Sequence, residues 1–460
     1  MKKVLVLMLS LCLIAVIFAC KKGDTKGDST GGQVDISVAQ KVPTGGKFVV
    51  SPQLVGWDNA EIELTWQPVP AHSMSDPSPA RSGDLMKKAE AWVKKYPNVK
   101  IIPVGTTQNI NDSMTKLRVT AVEGGAPDVS AVDSFMMPLF KEYARDIDDV
   151  AAEYGINLDD YFPYIKSQVT ENGHIRALWY TTDVRGLFYR KDLISNAPAT
   201  VDEMLTTAQE MKAKGLTGLL YLGRRNEGTV NNLWGLYWSQ GAKLTDAQGN
   251  LAFDKGTDRE AMLNLLNFIK KTIDLGVTPK TIIDYGSDID MYGEVAAGNV
   301  AMFIAPNQAI AQCREIMGKD KFDAVWEFAP LPVFEAGQKS TSSAGGWTSM
   351  VFARDELHRR LAADLIINLY CTDAASESWT LAGGWLPTRQ SNFTNFSYIK
   401  DDHYLSQMRT FLDAASTRPA VEVYNIISME IQVAIGNVVT GTSSPEQALE
   451  TAIRNIKNNQ

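Results

Sequence analysis

Acidic residues are the groups in this sequence whose types and spacing come closest to catalytic chemistry. The pairs Asp148-Asp149, Asp159-Asp160 and Asp401-Asp402 would suit general acid and base work on a glycoside if two carboxyl groups faced each other. Adjacent residues of a helix point in different directions, so these pairs fit solvated turns and helix caps better. The acids of a glycosidase need not be neighbours in sequence, so a secreted carbohydrate-active enzyme stays open as an alternative.

Other catalytic and metal-binding motifs are missing from the sequence. There is no G-x-x-x-x-G-K-[ST], no G-x-G-x-x-G, no H-E-x-x-H and no C-x-x-C. The four histidines are far apart, and none has the spacing of metal ligands. We therefore expect that this protein is not an enzyme and has no catalytic residue, no bound metal and no cofactor.

Composition and charge limit the class of protein further. The 460 residues are 45% hydrophobic and 21% charged, which is typical of a globular chain and excludes a disordered or collagen-like one. The 45 basic residues and 53 acidic residues give a net charge of −8. Binding to phosphates needs clustered Lys and Arg, and this acidic chain has no basic runs. We therefore expect no nucleic acid partner.

The first twenty residues have the layout of a secretory signal. A basic start, Met1-Lys2-Lys3, precedes an apolar run, Val4 to Ala19, which is short for a membrane span. The sequence Ile17-Phe18-Ala19-Cys20 resembles the lipobox of bacterial lipoproteins, which implies a signal peptide over residues 1–19 and acylation of Cys20. Residues 20–46 are rich in Gly, Lys, Ser, Thr and Asp and predict a linker. The implied location is extracytoplasmic, with the protein lipid-anchored to the membrane in the periplasm or at the cell surface.

The remainder of the chain alternates between strand and helix patterns. Residues 61–132 read as strand, helix, strand, helix, strand, which predicts a parallel sheet packed against helices. The alternation resumes with a strand over Arg185–Arg190 and a further strand over Thr217–Leu222. It continues to a helix at Ser444, where Pro445 and Gln447 suit the first turn. Because single cores rarely grow to this size, we expect two α/β domains.

Six segments between residues 124 and 449 also match a known family in order. They are Gly124–Val129, Gly186–Leu193, Ala199–Glu203, Tyr292–Met302, Gly383–Arg389 and Gly441–Leu449. Together they resemble the bacterial extracellular solute-binding proteins of carbohydrate ABC importers (family 1, maltose-binding-protein-like). The resemblance implies a periplasmic binding protein-like α/β fold whose two lobes, joined by a multi-strand hinge, close over a solute and deliver it to a permease.

The resemblance also implies where the lobes divide. The N-terminal lobe would comprise residues 47–183 and 334–376, and the C-terminal lobe residues 184–333 and 377–460. Cys313 and Cys371 then fall in different lobes. A disulfide bond between them would prevent the two lobes from moving relative to each other, so we expect free thiols. An oxidising compartment leaves a disulfide open as an alternative.

The expected solute is a sugar, a mono- or oligosaccharide. A sugar ring has apolar C–H faces and a rim of hydroxyls, so it needs a flat aromatic ring and Asp, Asn, Arg or His side chains. Trp347 and Trp385, each preceded by a glycine pair, are the platform candidates. Asp183 falls where the maltose-binding protein has an acidic ligand residue. The other candidates, in loops after strands or near the lobe crossings, are His72, Asn109, Asp133, Trp179, Arg185, Asn231, Asn307 and Arg389.

Some of these candidates have structural interpretations. His72 lies in a Ser- and Pro-rich stretch, which favours a solvated loop, and Asp133 and Asp183 could cap a helix or pair with an arginine. Four tryptophans in predicted strands or helices are expected in the core instead of the cleft. They are Trp92, Trp234, Trp238 and Trp326.

The identity of the solute leaves two further alternatives. Gln308 and Ser428 stand where maltodextrin binders carry platform tryptophans, so the resemblance favours another saccharide. A non-sugar solute such as a phosphorylated polyol stays open, and Arg224 and Arg225 in the cleft would favour it. The partners implied are the small-molecule sugar, the permease subunits and the membrane through the lipid anchor, and the protein is expected to be a monomer.

Overall fold

The computed structural model describes residues 34–107 and 110–459, and its regular elements alternate along that part of the chain. The strands are β1 (Phe48–Ser51), β2 (Leu54–Trp57), β3 (Ile62–Gln67), β4 (Val99–Pro103), β5 (Val129–Asp133), β6 (Thr170–Glu171), β7 (His174–Ile175), β8 (Leu178–Trp179), β9 (Arg185–Arg190), β10 (Met302–Pro306), β11 (Trp326–Ala329), β12 (Ser343–Ala344), β13 (Trp347–Val351) and β14 (Ser416–Thr417).

The α-helices connect these strands and continue beyond the last of them. They are α1 (Pro79–Lys95), α2 (Ile110–Val122), α3 (Asp148–Glu153), α4 (Pro163–Val169), α5 (Val201–Ala213), α6 (Glu227–Trp238), α7 (Gly256–Asp274), α8 (Asp288–Ala297), α9 (Gln308–Met317), α10 (Lys319–Val325), α11 (Glu356–Ile366), α12 (Asp373–Gly383), α13 (Asn392–Asn395), α14 (Ser397–Asp401), α15 (Met408–Asp413), α16 (Val423–Thr440) and α17 (Pro445–Asn458).

Seven strands form one mixed sheet in the order β1-β2-β4-β3-β5-β13-β8. At its centre β3 pairs in parallel with β4 and with β5, which confirms the strand–helix alternation predicted for residues 61–132. The strands added on both sides are antiparallel to their neighbours, so the sheet is mixed and not purely parallel. The late strand β13 lies beside β5, and its register places Trp347 opposite Asp133.

A second sheet has three antiparallel strands in the order β10-β9-β11. Strand β9 occupies the predicted residues, but the strand predicted over Thr217–Leu222 is wrong. That segment makes isolated bridges from Thr217 to Val300 and from Leu220 to Phe303. The two bridges are three residues apart, whereas a regular strand faces the same neighbour every two residues, so the pairing with β10 is irregular at Gly218 and Leu219. Gly218 also packs closely on α5, where an added Cβ would be 2.3 Å from the Ala208 carbonyl oxygen.

The core contains the large aromatic side chains that the sequence placed there. Trp92, Trp234 and Trp326 are buried as predicted, whereas Trp238 is only partly buried, at the end of α6. Cys313 and Cys371 are buried free thiols, and burial raises the pKa of each to about 12.

The folded body begins at Ile36, ten residues before the predicted end of the linker. Residues Ile36–Gln40 form a 3₁₀ turn, and the Ala39 carbonyl accepts a hydrogen bond from the Asn98 N–H at 3.0 Å. The predicted signal peptide and Cys20 lie outside the described residues. In the described part of the chain, no helix is both long enough and apolar enough to cross a bilayer.

Candidate functional site

Five residues singled out in the sequence line one cavity of about 580 Å³, between the two sheets. Asp133 ends β5, Arg185 begins β9 and Trp347 begins β13, so the sheet edges bring them together. Asp183 and Asn231 complete the five. The volume falls within the range of roughly 300–1,000 Å³ that small-molecule sites occupy.

Asp183 organises one wall of this cavity. Its carboxylate accepts hydrogen bonds from both terminal nitrogens of Arg185, and in this bidentate pair Nη2 lies 3.2 Å from Oδ2. The Gly345 N–H donates to Asp183 at 3.1 Å, and the Gln308 amide donates at 3.2 Å. With four donors from the protein, the Asp183 oxygens hold Arg185 and the glycine turn in place.

Arg418 forms a buried bridge across the cavity floor. Its Nη2 donates to Asp133 Oδ1 at 2.7 Å, and its Nη1 donates to Glu227 Oε1 at 3.1 Å. Arg418 is buried, with 4% of its surface exposed, and its guanidinium carbon lies 4.3 Å from the centre of the Phe135 ring. Burial raises the pKa of Asp133, while the Arg418 charge acts in the opposite direction. The bridge therefore keeps two buried carboxylates compensated.

Trp347 supplies the aromatic surface of the cavity. It is partly exposed, and its backbone is fixed because its carbonyl accepts the Tyr180 N–H at 3.0 Å. The His72 ring lies 5.7 Å from the Trp347 ring and 4.4 Å from the Trp385 ring, in edge-to-face geometry. His72 Nδ1 is 2.8 Å from the Tyr180 hydroxyl. The Trp347 ring is thus supported from behind by a packed aromatic group.

The interpretation of His72 as a solvated loop residue is wrong. His72 is 1% exposed, because the 3₁₀ turn Pro70–His72 after β3 directs the ring inward. Burial lowers the pKa of His72 to about 3, with a contribution from Arg81. The imidazole is therefore neutral at physiological pH and packs as an aromatic ring.

Two candidate tryptophans lie behind the cavity surface. Trp385 is buried and stacked on Trp379, with 4.8 Å between ring centres. Trp179 is buried as well, and its indole N–H donates to the Thr181 carbonyl at 2.7 Å. Both side chains hold the local backbone and do not line the cavity.

Asn307 and Arg389 also serve the framework. The amide oxygen of Asn307 accepts the Val184 N–H at 3.0 Å, and its amide nitrogen donates to the Gly384 carbonyl at 2.8 Å. Arg389 pairs with Asp373 at 2.7 Å, outside the cavity. Asn109 lies outside the described residues.

Several lining residues escaped the sequence reasoning. Asp288, in the first turn of α8, accepts a hydrogen bond from the Asn232 amide at 2.7 Å, and burial raises the pKa of Asp288 to about 6. Asn226, the N-cap of α6, and Arg418 also line the cavity. The capping patterns at Asn226 and Ser287 were a usable signal, since helix N-termini often face ligands. Nothing in its local sequence marks Arg418.

The charges of the lining favour particular solutes. Asp133, Asp183, Asp288 and Asp290 face two arginines, so acidic groups outnumber basic ones. An anionic solute would meet this excess of carboxylates at close range, which is unfavourable. Carboxylates, amides, guanidinium groups and an indole face together suit a hydroxylated, uncharged solute.

One group outside the cavity has donors of the kind that bind metal ions. Ligand atoms of Asp146, Asp148 and His174 lie within 4.8 Å of one another near the surface. The Arg176 Nε is 3.1 Å from Asp146 Oδ1 and already supplies a positive charge there. None of these three residues lines the cavity.

Comparison with known proteins adds independent evidence. Residues 77–362 match the family described as bacterial extracellular solute-binding protein. A probable ABC transporter-binding protein of Deinococcus radiodurans is 26% identical over 391 residues, which cover 80% of this chain and 88% of that protein.

Solved structures share the architecture. Maltose-bound MalE3 of T. maritima is 23% identical, with a TM-score of 0.73 over 87% of this chain and 100% of that one. A solute-binding protein of Agrobacterium radiobacter K84 in complex with ribitol is 19% identical, with a TM-score of 0.71 over 87% and 99%. One of Thermotoga lettingae bound with α-D-tagatose is 21% identical, with a TM-score of 0.70 over 86% and 99%. At these identities the likeness shows a common fold.

Proposed function

Because this chain belongs to the bacterial extracellular solute-binding proteins and is the solute-binding protein of an ABC transporter, we propose that its cavity captures an uncharged sugar or polyol for import. The observation that carries the proposal is the lining, in which Trp347 offers an apolar ring and Asp288, Asn231 and the arginines offer polar groups. The solutes named for the structural neighbours, maltose, tagatose and ribitol, belong to the same chemical class.

Capture depends on a hinge between two lobes. We assign residues 47–183 and 334–376 to the N-terminal lobe and residues 184–333 and 377–460 to the C-terminal lobe. Short bridges join segments near the proposed crossings, from Thr182 to Leu386 and from Asp183 to Gly345. Such short backbone contacts allow a hinge rotation with little loss of packing. Closure would then present the solute to the permease subunits.

The protein would act as a monomer held at the membrane. Acylation of Cys20 would anchor it to the membrane on the extracytoplasmic side, in the periplasm or at the cell surface. The Gly- and Ser-rich segment after Cys20 would act as a tether. The energy for import would come from the transporter's ATPase, with no chemical change to the solute in this protein.

An anionic solute fits the site less well. Arg224 and Arg225 are exposed and are not among the residues that line the cavity, which has four carboxylates and two guanidinium groups. A glycosidase also fits poorly, because Asp133 and Asp183 are each paired with an arginine instead of being free for proton transfer.

Isothermal titration of the purified protein against a panel of solutes tests the proposal. The panel contains D-glucose, D-xylose, maltose, D-tagatose and ribitol, with ribitol 5-phosphate, glutamate and a dipeptide as charged or unrelated probes. We expect at least one neutral sugar or polyol to bind and the phosphate ester to bind more weakly than ribitol. Binding of glutamate, the dipeptide or the phosphate ester with no binding of any neutral member would refute it.

A further inference from the structure

A second cavity is lined by two of the chain segments that also line the first, the segment after β5 and the segment that contains Arg418. It has a volume of about 450 Å³, and its lining includes Arg118, Leu139, Asn250, Glu422 and Ile426. Two of its lining residues, Arg118 and Glu422, form an exposed ion pair with 3.4 Å between nitrogen and oxygen. The lining of this second cavity combines polar and apolar side chains, so it could hold part of a longer solute.

The order of residues along three segments shows what separates the two cavities. After β5, Asp133 lines the first cavity, Phe135 is buried, and Leu139 lines the second. In the later segment Arg418 lines the first cavity, Tyr424 is buried, and residues 422, 423, 425 and 426 line the second. Glu227 is buried between Asn226 and Gly228, which line the first. The buried residues between the two linings form a partition.

The partition is a connected polar and aromatic unit. The Arg418 fork joins Asp133 to Glu227, and the Tyr424 hydroxyl donates to Glu227 at 2.7 Å. The Ser428 hydroxyl donates to the same carboxylate. The Phe135 and Tyr424 rings meet at 5.1 Å, in edge-to-face geometry. Displacement of Arg418 from this unit would leave the buried carboxylates of Asp133 and Glu227 without a counter-charge.

We propose that Arg418 limits the length of the solute, confining it to a monosaccharide, a disaccharide or a polyol in the first cavity. The inference rests on the proposed function, because it concerns the size of the same solute. The second cavity is then an extension that Arg418 closes off. The planar guanidinium is suited to this task, since it binds two carboxylates in fixed directions while its face rests on Phe135.

Titrations with two homologous series test the inference on the unaltered protein. The probes are D-glucose, maltose, maltotriose and maltotetraose, and D-xylose with its β-1,4-linked dimer, trimer and tetramer. We expect the trimer and tetramer to bind at least tenfold more weakly than the tightest shorter member. Equal or tighter binding of a tetramer would overturn the inference while leaving the proposed function intact. If no sugar of the two series and no polyol binds, both this inference and the proposed function are refuted.

Substitution of the partition provides the second arm. Arg418→Ser combined with Glu227→Gln removes the obstacle and one of the two carboxylates that it pairs, so that only Asp133 loses its counter-charge. In this variant the ratio of the trimer Kd to the dimer Kd should fall at least tenfold. Adding Asn250→Trp, at an exposed position of the second cavity, should restore the penalty, whereas Asn250→Trp alone should not affect the short sugars. Arg359→Ser removes a buried arginine from α11 and is the matched control. An unchanged length preference in the folded Arg418 variant would refute the assignment.

Discussion

Asp288 makes the stability of this protein depend on pH in a direction opposite to that of an ordinary ion-paired aspartate. Its pKa is raised from 3.8 to about 6, mainly by burial. The native state therefore binds more protons than the unfolded state between these values, and the stability contributed by the neutral carboxyl is present below pH 3.8 and lost as pH rises through 6. The hydrogen bond that the Asn232 amide donates to Asp288 acts in the opposite direction and lowers this pKa, but burial has the larger effect.

The substitution Asp288→Asn should remove this penalty. A shift of two pKa units corresponds to about 3 kcal/mol, and partial exposure to solvent reduces the effect to about 1–2 kcal/mol. The gain should be present above pH 7 and absent near pH 4. For a folded body of about 425 residues, the unfolding entropy is about 0.9 kcal/mol per degree, so we expect the Tm to rise by about 1–2 °C at pH 7.5.

Calorimetric unfolding of the wild type and the variant from pH 4 to pH 8 measures the difference directly. Asp290→Asn is the matched control, because Asp290 lies in the same helical turn but accepts the Gly286 and Ser287 N–H groups at 2.6 and 3.0 Å. That variant weakens the cap of α8 and should be destabilised. A loss of stability in Asp288→Asn at pH 7.5, or a gain that is the same at pH 4, would refute the reasoning.

Three further predictions concern the aromatic surface, the buried bridge and the thiols. In a calorimetric titration, Trp347→Ala should weaken the binding of the tightest-binding solute of the panel by at least about 1 kcal/mol, whereas Trp238→Ala should leave it unchanged. Equal affinities for the wild type and Trp347→Ala would show that the Trp347 ring does not contact the solute. Arg418→Met leaves two buried carboxylates unpaired and should lower the free energy of unfolding by about 3–5 kcal/mol. Arg359→Met should cost less, because the acidic partners of Arg359 are half exposed. Similar losses for the two variants in denaturant titrations would show that the bridge is not desolvated. The thiols of Cys313 and Cys371 should react with a thiol reagent in denaturant but not in the native protein, because burial keeps them protonated and inaccessible. Rapid reaction in the native protein would contradict their burial.

Local patterns in the sequence were sufficient for much of the secondary structure. The capping boxes at Thr200 and Ser444 begin helices α5 and α17 as predicted, because a cap depends on residues within one turn. Helix α8 ends at Gly298 in the left-handed conformation, with a φ of 83°. The central strand–helix alternation and the membership of the family also followed from short segments in order.

Errors in the sequence reasoning arose where local composition conflicted with packing. The Ser- and Pro-rich stretch around His72 was interpreted as a solvated loop, but Pro79 occupies the first turn of α1 and His72 is buried among aromatic rings. The segment Thr217–Leu222 has a strand-like pattern, yet it makes only isolated bridges with Val300 and Phe303. In both cases neighbours distant in sequence decide the outcome.

The cavity itself depends on long-range pairing. Trp347 reaches Asp133 only because β13 returns to lie antiparallel beside β5, and Arg418 meets Asp133 across 285 positions of the chain. A sequence period reports which face of an element is apolar, so it predicts helices, strands and caps. It contains no information on which distant strand or loop will become the neighbour of a given side chain. That choice is made by the packing of the whole sheet and its helices, and only the tertiary structure therefore identified Arg418 and Asp288 and separated Trp347 from the tryptophans behind it.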